Sequence, residues 1–213
     1  MGLHMYSQLG QDKFVLNKVG KPGFFVEVGA SHPENFSNSL ALEEKGWTGI
    51  CVDPLLDDEL YDRFARTCKR DKRAVFTHNG TVKFTKVDMD GGVLSTISEY
   101  TDIPDEFHAI RQKGREVEVP CVTLHDLLNE HGAPPYIDYL SIDTEGSELN
   151  ILKAYDWSRI FGIITIEHNC HRPGANRQYL DDITTFLRGQ GYTWMREVNW
   201  DAWFVHKNLE KVG

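Results

Sequence analysis

Acidic residues follow four of the five parallel strands that the sequence predicts, at the point where each strand ends. The residues leaving these strands are Glu27 with Gly29, Asp53, Asp143 with Glu145, and Glu167 with His168 and Asn169. A single acid in such a place is commonly a solvated loop residue. Because ligands of doubly wound sheets bind beyond the carboxyl ends of the strands, four such ends favour one common binding site.

The turn after the first predicted strand does not fit a pyrophosphate. Residues 29–34 have the sequence GASHPE, whereas dinucleotide-binding turns have the pattern GxGxxG, and Glu34 would repel a phosphate. Asp53, at the end of the second strand, suits a ribose because its carboxylate can accept both hydroxyl hydrogens. The pattern predicts a cationic nucleoside such as S-adenosylmethionine and disfavours a nucleotide-dependent oxidoreductase.

For a ligand that carries a hydroxyl group at the same sheet edge, two activation chemistries are open. Asp143, Glu167 and Asn169 offer the oxygen ligands that Mg²⁺ prefers, and a bound cation would lower the pKa of the hydroxyl. His168 is the alternative, as a general base, because histidine is the side chain that ordinarily titrates near neutral pH. Asp143 could equally position the methionyl end of the cofactor.

Short apolar runs alternate with helical patterns along the chain. Strands are predicted over residues 24–29, 48–54, 73–78, 136–143 and 161–168. This alternation indicates a parallel sheet with helices on both faces. The segments YTWMREV and AWFVHK, around NWD, predict a closing antiparallel hairpin. Residues 88–118 are polar and irregular, which fits either a loop with some helix over an active-site mouth or a surface excursion.

Composition restricts the class of partner and the compartment. The 213 residues suffice for one domain, predicted over 1–213. The net charge of −9 disfavours nucleic-acid and membrane-surface partners, which need a basic surface. Four cysteines without a CxxC pair favour a reduced, cytoplasmic protein. The aromatic content of 11% is compatible with a homo-oligomer interface without indicating one.

Several long segments, in order, resemble the FkbM-type methyltransferases. They are YSQLGQD (6–12), FVEVGASHP (25–33), SNSLALEEKGWTGICVDP (37–54), VPCVTLHDLL (119–128), YLSIDTEGSELNIL (139–152) and IEHN (166–169). The resemblance runs from Tyr6 to about Val205 and implies a class I S-adenosylmethionine-dependent O-methyltransferase. It implies a Rossmann-like α/β fold, doubly wound, with a mostly parallel seven-stranded sheet that ends in the antiparallel hairpin.

The resemblance also implies a set of cofactor-binding residues. They are Gln8, Glu27, Gly29, Ala30, Ser31, Asn38, Asp53, Pro54 and Asp143, with Phe76 and Thr77 as candidates for the adenine. Three of these residues also have an interpretation without a ligand: Gln8 could lie in a solvated tail, Asn38 could cap a helix, and Phe76 could belong to the apolar core.

The expected reaction is transfer of a methyl group to a hydroxyl of a sugar or a sugar-containing metabolite. Asp143 and His168 are the predicted catalytic residues, and Asp143, Glu167 and Asn169 the predicted Mg²⁺ ligands. Residues 79–118 carry little of the family pattern and are predicted to be an insertion or lid that recognises the acceptor. A catalytically silent module that keeps the cofactor pocket is the alternative from another class.

Overall fold

The computed structural model describes residues 4–89, 92–104, 107–170 and 177–209. The helices are α1 Gln11–Val19, α2 Leu40–Glu43, α3 Asp58–Arg63, α4 His108–Arg111, α5 Leu124–Glu130, α6 Glu148–Ala154 and α7 Gln178–Gly189. The strands are β1 Phe24–Val28, β2 Thr48–Val52, β3 Lys69–Asp71, β4 Ala74–Phe76, β5 Gly80–Lys86, β6 Thr96–Ile97, β7 Arg115–Thr123, β8 Tyr136–Ile142, β9 Ile160–Glu167, β10 Tyr192–Val198 and β11 Asp201–His206.

The main sheet has seven strands in the order β10-β11-β9-β8-β1-β2-β3. Four neighbouring pairs of this sheet are parallel: β9 with β8, β8 with β1, β1 with β2, and β2 with β3. β11 pairs antiparallel with both β9 and β10. The strand order reverses between β1 and β8, which lie side by side. The predicted doubly wound α/β fold with a C-terminal antiparallel hairpin is therefore confirmed.

Side chains alternate between the two faces of this sheet, and each face has its own apolar core. On β1, Val26 and Val28 pack toward α5, α6 and α7, whereas Phe25 packs toward α1, α2 and α3. Glu27 shares the face of Phe25, because side chains two apart on a strand point the same way. Asp53, Asp143, Glu167 and Asp201 follow the same alternation on their own strands, which brings these acids to the face of α1–α3.

The strand predicted over 73–78 is present as the shorter β4, but it does not belong to the main sheet; the unpredicted β3 takes that place. β3 joins the main sheet, and β4 joins a second, four-stranded sheet of order β4-β7-β5-β6. Between them the Asp71 side chain accepts hydrogen bonds from the Arg73 amide and Nε, at 3.0 and 2.9 Å. This turn redirects the chain. The sequence of β3, Lys-Arg-Asp, is charged and contains no apolar run, so the sequence did not predict this strand.

The segment predicted to be irregular contains regular structure. Within 88–118 lie β6, the 3-10 turn Ser98–Tyr100, α4 and the first part of β7, which pairs antiparallel with β5. Residues 90, 91, 105 and 106 of the predicted insertion lie outside the described residues.

The four cysteines are free, and all of them are buried. Each helix that the structure describes is too short or too polar to cross a lipid bilayer.

Candidate functional site

A cavity of about 660 Å³ opens at the carboxyl ends of the parallel strands, next to the point where the strand order reverses. Its volume lies within the range of small-molecule sites. The predicted site residues that line it are Gln8, Glu27, Gly29, Ala30, Ser31, Asn38, Asp53, Asp143, Glu167 and Asn169. Residues from four strand ends thus meet around one volume.

Gly29 lets two neighbouring strand ends approach each other closely. Its φ angle is +82°, and a Cβ built on it would overlap Asp143 O and lie 2.8 Å from the Asp143 carbonyl carbon. The Asp143 amide in turn donates to Val28 O at 3.0 Å. The glycine is therefore required by the contact between the ends of β1 and β8, independently of any ligand.

Glu27 is 3% exposed and holds the segment that begins α2. Its carboxylate accepts hydrogen bonds from the Asn38 amide at 2.6 Å and from the Ser39 hydroxyl. The buried Arg66 guanidinium donates to that same hydroxyl at 2.7 Å. Burial raises the pKa of Glu27, and the positive charge of Arg66 opposes the rise. The carboxylate organises the cavity wall and contributes to its lining.

Asp53 ties the end of β2 to the turn after β1. Its side chain accepts from the Ser31 amide at 3.2 Å and from the Leu55 amide at 2.7 Å. Burial raises the pKa of its carboxyl group, and these two bonds oppose the rise. Each carboxylate oxygen holds one of these bonds and can accept another from a ligand.

A loop before α1 brings Gln8 to the cavity. The buried Asp12 carboxylate accepts from the Tyr6 amide at 2.8 Å and from the Ser7 amide at 3.2 Å. Gln11 Nε2 donates to Asp201 Oδ2 at 2.7 Å, which ties the start of α1 to β11. The segment is therefore held by buried polar groups where the sequence alone allowed a solvated tail.

Three carboxylates form a cluster on the cavity wall. One oxygen each of Asp143, Glu145 and Glu167 lies within 4.8 Å of the others. Asn169 lies beside them, with its Nδ2 atom 3.5 Å from Glu145 Oε2. The Arg111 Nη1 atom lies 3.7 Å from Glu145 Oε2. Glu145 was a candidate in the sequence but not one of the predicted ligands; the structure adds it to the cluster.

Burial shifts the protonation of this cluster. It raises the pKa of Asp143 to about 7, aided by the charges of Asp201 and Glu148. It also raises the pKa of Glu167 well above the usual range, and the neighbouring Asp143 charge adds to the rise. Without a cation, Asp143 therefore titrates near neutral pH, and Glu167 holds its proton more tightly than a free carboxyl group does. The Glu167 Oε2 atom is buried and has no hydrogen-bond partner among the described residues.

His168 does not line the cavity. Its side chain is fully buried, and its Nδ1 atom accepts a hydrogen bond from the Cys170 amide at 2.9 Å. Its Nε2 atom lies 3.7 Å from Glu197 Oε1. Strand alternation explains the placement, because successive residues point to opposite faces and Glu167 takes the cavity side.

Phe76 and Thr77 also lie outside the cavity. Phe76 is buried in the core of the second sheet, with its ring centroid 5.4 Å from His78 and 6.4 Å from Tyr100. Thr77 is exposed. Both were expected at the adenine because their strand was placed in the main sheet, and β4 pairs with β7 instead. Pro54 lines a smaller cavity of about 40 Å³ that shares Gly29 and Asp53 with the large one.

Three aromatic residues that were not among the predicted ligands also line the cavity. They are Phe36, which is 54% exposed, Phe107, which precedes α4, and Trp200, in the turn of the closing hairpin. Phe36 has a φ angle of +64°, a conformation unusual for a phenylalanine. The φ angle of Phe36 cannot be read from the sequence, and Phe107 lies in no recognisable motif. The tryptophan of the NWD turn is the sequence signal that could have indicated a ligand.

Replacing Asp201 by asparagine is expected to stabilise the protein above pH 6. Burial raises the pKa of Asp201 to about 6, so the folded state resists ionisation. Stability should fall as pH rises from about 4 to about 6, because the unfolded chain ionises first, and the loss reaches up to about 3 kcal/mol. Urea unfolding at pH 5 and pH 8 tests this. A gain for Asp201→Asn of equal size at both pH values would contradict it.

Comparison with known proteins identifies the family. Residues 27–193 match the model described as the methyltransferase FkbM domain. A comparison with curated proteins returns no match. Among solved structures the chain is similar to the 1,6-didemethyltoxoflavin-N1-methyltransferase of Burkholderia thailandensis, which has bound 1,6-didemethyltoxoflavin and S-adenosylhomocysteine. The identity is 12% and the TM-score 0.44, over 92% of this chain and 74% of that chain.

A candidate RNA methyltransferase from Pyrococcus horikoshii is similar at 10% identity and a TM-score of 0.43, over 96% of this chain and 88% of that chain. The family match confirms the resemblance seen in the sequence motifs. Because residues 27–193 make up most of the 213-residue chain, this protein belongs to the FkbM-domain methyltransferases.

Proposed function

We propose that the protein is an S-adenosylmethionine-dependent O-methyltransferase that acts on a hydroxyl of a sugar or a sugar-containing metabolite. One observation carries the proposal: a single cavity joins Asp53, suited to a ribose, to the carboxylate cluster of Asp143, Glu145 and Glu167. Membership of the FkbM family supports methyl transfer and removes the oxidoreductase alternative.

In this proposal the cofactor occupies the side of the cavity near β1 and β2. Asp53 accepts hydrogen bonds from the ribose hydroxyls, and the turn of Gly29, Ala30 and Ser31 passes beside the methionyl part. Glu27 and Asn38 form the wall behind that turn, since the Asn38 amide donates to Glu27 and its Nδ2 donates to Ser141 Oγ at 2.9 Å. Gln8 covers the cavity from the loop before α1.

The carboxylate cluster fits a divalent cation. Asp143, Glu145 and Glu167 would hold it, with Asn169 at the edge, and Mg²⁺ is the ion that this oxygen set suits. The buried, unpartnered Glu167 Oε2 is an atom that a ligand would satisfy. When bound, the cation would lower the pKa of the acceptor hydroxyl and orient it.

Asp143 is our choice of proton acceptor in place of His168. S-adenosylmethionine supplies an electrophilic methyl group, and the acceptor hydroxyl must lose its proton as its oxygen takes that methyl. Asp143 lines the cavity and has a pKa of about 7 without a cation, whereas His168 lies outside the cavity. If Mg²⁺ is required, Asp143 acts as its ligand instead.

The acceptor occupies the aromatic side of the cavity. Trp200 precedes β11, which pairs with the end of β9 at Glu167. Phe107 precedes α4, and the Arg111 side chain of that helix lies 3.7 Å from Glu145. Both aromatic residues therefore come from segments that reach the carboxylate cluster. Ring faces suit the C–H face of a sugar, and the carboxylates suit its hydroxyls.

We also propose that residues 1–213 form one methyltransferase domain in which the 79–118 segment recognises the acceptor. Met89, Phe107 and residues 92–95 of that segment line the cavity, which supports this role.

Calorimetric titration of S-adenosylmethionine into the metal-stripped protein, repeated with Mg²⁺, tests the proposal. We expect micromolar binding; absence of binding under both conditions would overturn it. Turnover is then measured as release of S-adenosylhomocysteine with a panel of methyl glycosides. Binding without turnover on any hydroxyl acceptor would indicate the catalytically silent module instead.

Replacing Asp53 by alanine is expected to weaken S-adenosylmethionine binding at least tenfold, which corresponds to about 1.4 kcal/mol. The substitution removes both the acceptors for the ribose and the bond to the Ser31 amide. Asp53→Asn is the intermediate variant, because its one carbonyl oxygen can keep only one of the two bonds from the Ser31 and Leu55 amides. Its affinity should lie between those of the wild type and Asp53→Ala. Calorimetry measures both variants, and unchanged affinity in Asp53→Ala would remove this residue from the ribose site.

A further inference from the structure

The loop that carries two of the three clustered carboxylates has an unusual backbone. Glu145 has a φ angle of +58° and Gly146 one of +123°, so the turn between β8 and α6 lies in the left-handed region at two successive positions. A non-glycine residue in this region costs free energy and needs support from its surroundings. Glu145 is itself a member of the carboxylate cluster.

Glu148, the first residue of α6, supplies this support. It is 1% exposed, and its Oε1 atom accepts from the Thr144 amide at 2.9 Å, the Thr144 hydroxyl at 3.0 Å and the Gly146 amide at 3.0 Å. It is not among the residues that line the cavity. One carboxylate oxygen therefore fixes the backbone on both sides of Glu145.

Tyr179 connects Glu148 to the segment that follows β9. Its hydroxyl hydrogen is shared between Glu148 Oε2 at 2.7 Å and Gly146 O at 3.1 Å, and its oxygen accepts from the Leu149 amide at 3.2 Å. Tyr179 lies in the first turn of α7. Just before it, Arg177 Nη1 donates to Cys170 O at 3.2 Å, in the segment that follows Glu167 and Asn169.

We propose that Glu148 and Tyr179 are positioning residues that set the separation of the two strand-end loops, and with it the geometry of the cation site. The inference rests on the proposed function, in which the cluster holds a divalent cation. Neither residue contacts the ion or the acceptor; both act through the loop of Thr144, Glu145 and Gly146. Partners that orient metal ligands typically contribute about 10- to 100-fold to affinity.

Mn²⁺ is the probe, because its electron paramagnetic resonance signal reports free and bound ion directly. We expect Tyr179→Phe and Glu148→Ala to weaken Mn²⁺ binding by at least about tenfold. Glu148→Gln should stay within about threefold of the wild type, because its carbonyl oxygen can still accept the bonds from Thr144 and Gly146. Its Nε2 can donate to the Tyr179 oxygen, whose hydrogen then goes to Gly146 O alone. Rescue by glutamine separates positioning from a requirement for the negative charge.

Tyr192→Phe is the matched control. The Tyr192 hydroxyl donates to Phe161 O at 2.8 Å and accepts from the Phe161 amide at 3.1 Å, so its removal also costs buried hydrogen bonds. Phe161 lies at the opposite end of β9 from Glu167, about 20 Å along the strand. Tyr192→Phe should lower the melting temperature and leave Mn²⁺ affinity unchanged.

The outcomes separate the two proposals. Equal Mn²⁺ affinity in the wild type, Tyr179→Phe and Tyr192→Phe overturns the positioning role alone, as does an equal loss in both tyrosine variants. Failure of the wild type to bind Mn²⁺ overturns the cation site, and with it this role. If Glu148→Ala does not fold, the comparison of Tyr179→Phe with Tyr192→Phe still tests the positioning role.

Discussion

Gly29→Ala is expected to abolish cofactor binding and to destabilise the protein by about 3 kcal/mol or more. A methyl group at this position overlaps Asp143 O, and the φ angle of +82° is itself unfavourable for alanine. The ends of β1 and β8 would have to separate, which displaces both the cofactor turn and the carboxylate of Asp143. Urea unfolding and calorimetric titration with S-adenosylmethionine measure the two effects.

Gly132→Ala controls for the backbone conformation alone. Gly132 follows α5 with a φ angle of +62°, and a Cβ there would meet nothing within 4 Å. It should cost about 1 kcal/mol, which is the strain of a left-handed alanine, and leave cofactor affinity unchanged. If Gly29→Ala behaves like Gly132→Ala, the close approach of the two strand ends is not what requires the glycine.

Glu27→Ala should destabilise the protein by about 3 kcal/mol, because it leaves a buried guanidinium with one carboxylate fewer nearby. It also removes the acceptor of the Asn38 amide and the Ser39 hydroxyl, so the segment that begins α2 is no longer held against the cavity. S-adenosylmethionine affinity should fall with stability. Thermal unfolding and calorimetry on the same preparation measure the two losses.

Glu43→Ala separates the cavity wall from the charge network. Glu43 forms an ion pair with the same Arg66 and accepts from the Thr67 and Cys68 amides at 2.7 and 2.9 Å, but it does not line the cavity. It should lower stability while the folded protein keeps its cofactor affinity within about twofold. An equal loss of affinity in both variants would show that Glu27 acts only through stability.

Much of the fold follows from local sequence. Alternating apolar runs and helical patterns predicted the doubly wound sheet and the closing hairpin, because strand and helix periodicity are properties of each segment by itself. The acids at four strand ends also predicted where a site would form, since parallel strands all end at one edge of a sheet. β3 was not predicted because its three residues are charged. It lies at the edge of the main sheet, where burial does not impose an apolar pattern.

Tertiary structure decided which residues reach the cavity. Sequence placed Glu167 and His168 side by side, and the orientation of β9 put only Glu167 on the cavity side. Phe76 lies in the second core because β4 pairs with β7, whose paired residues lie 47 positions further along the chain.

Phe107, Trp200 and the support of Glu148 by Tyr179 likewise depend on contacts between distant segments. Tyr179 reaches Glu148 across 31 positions of the chain. Strand periodicity is encoded locally, whereas these contacts form only when separate elements pack together. The sequence therefore determined that acids gather at one edge of the sheet, and the packing determined which of them, and which aromatic rings, share the cavity.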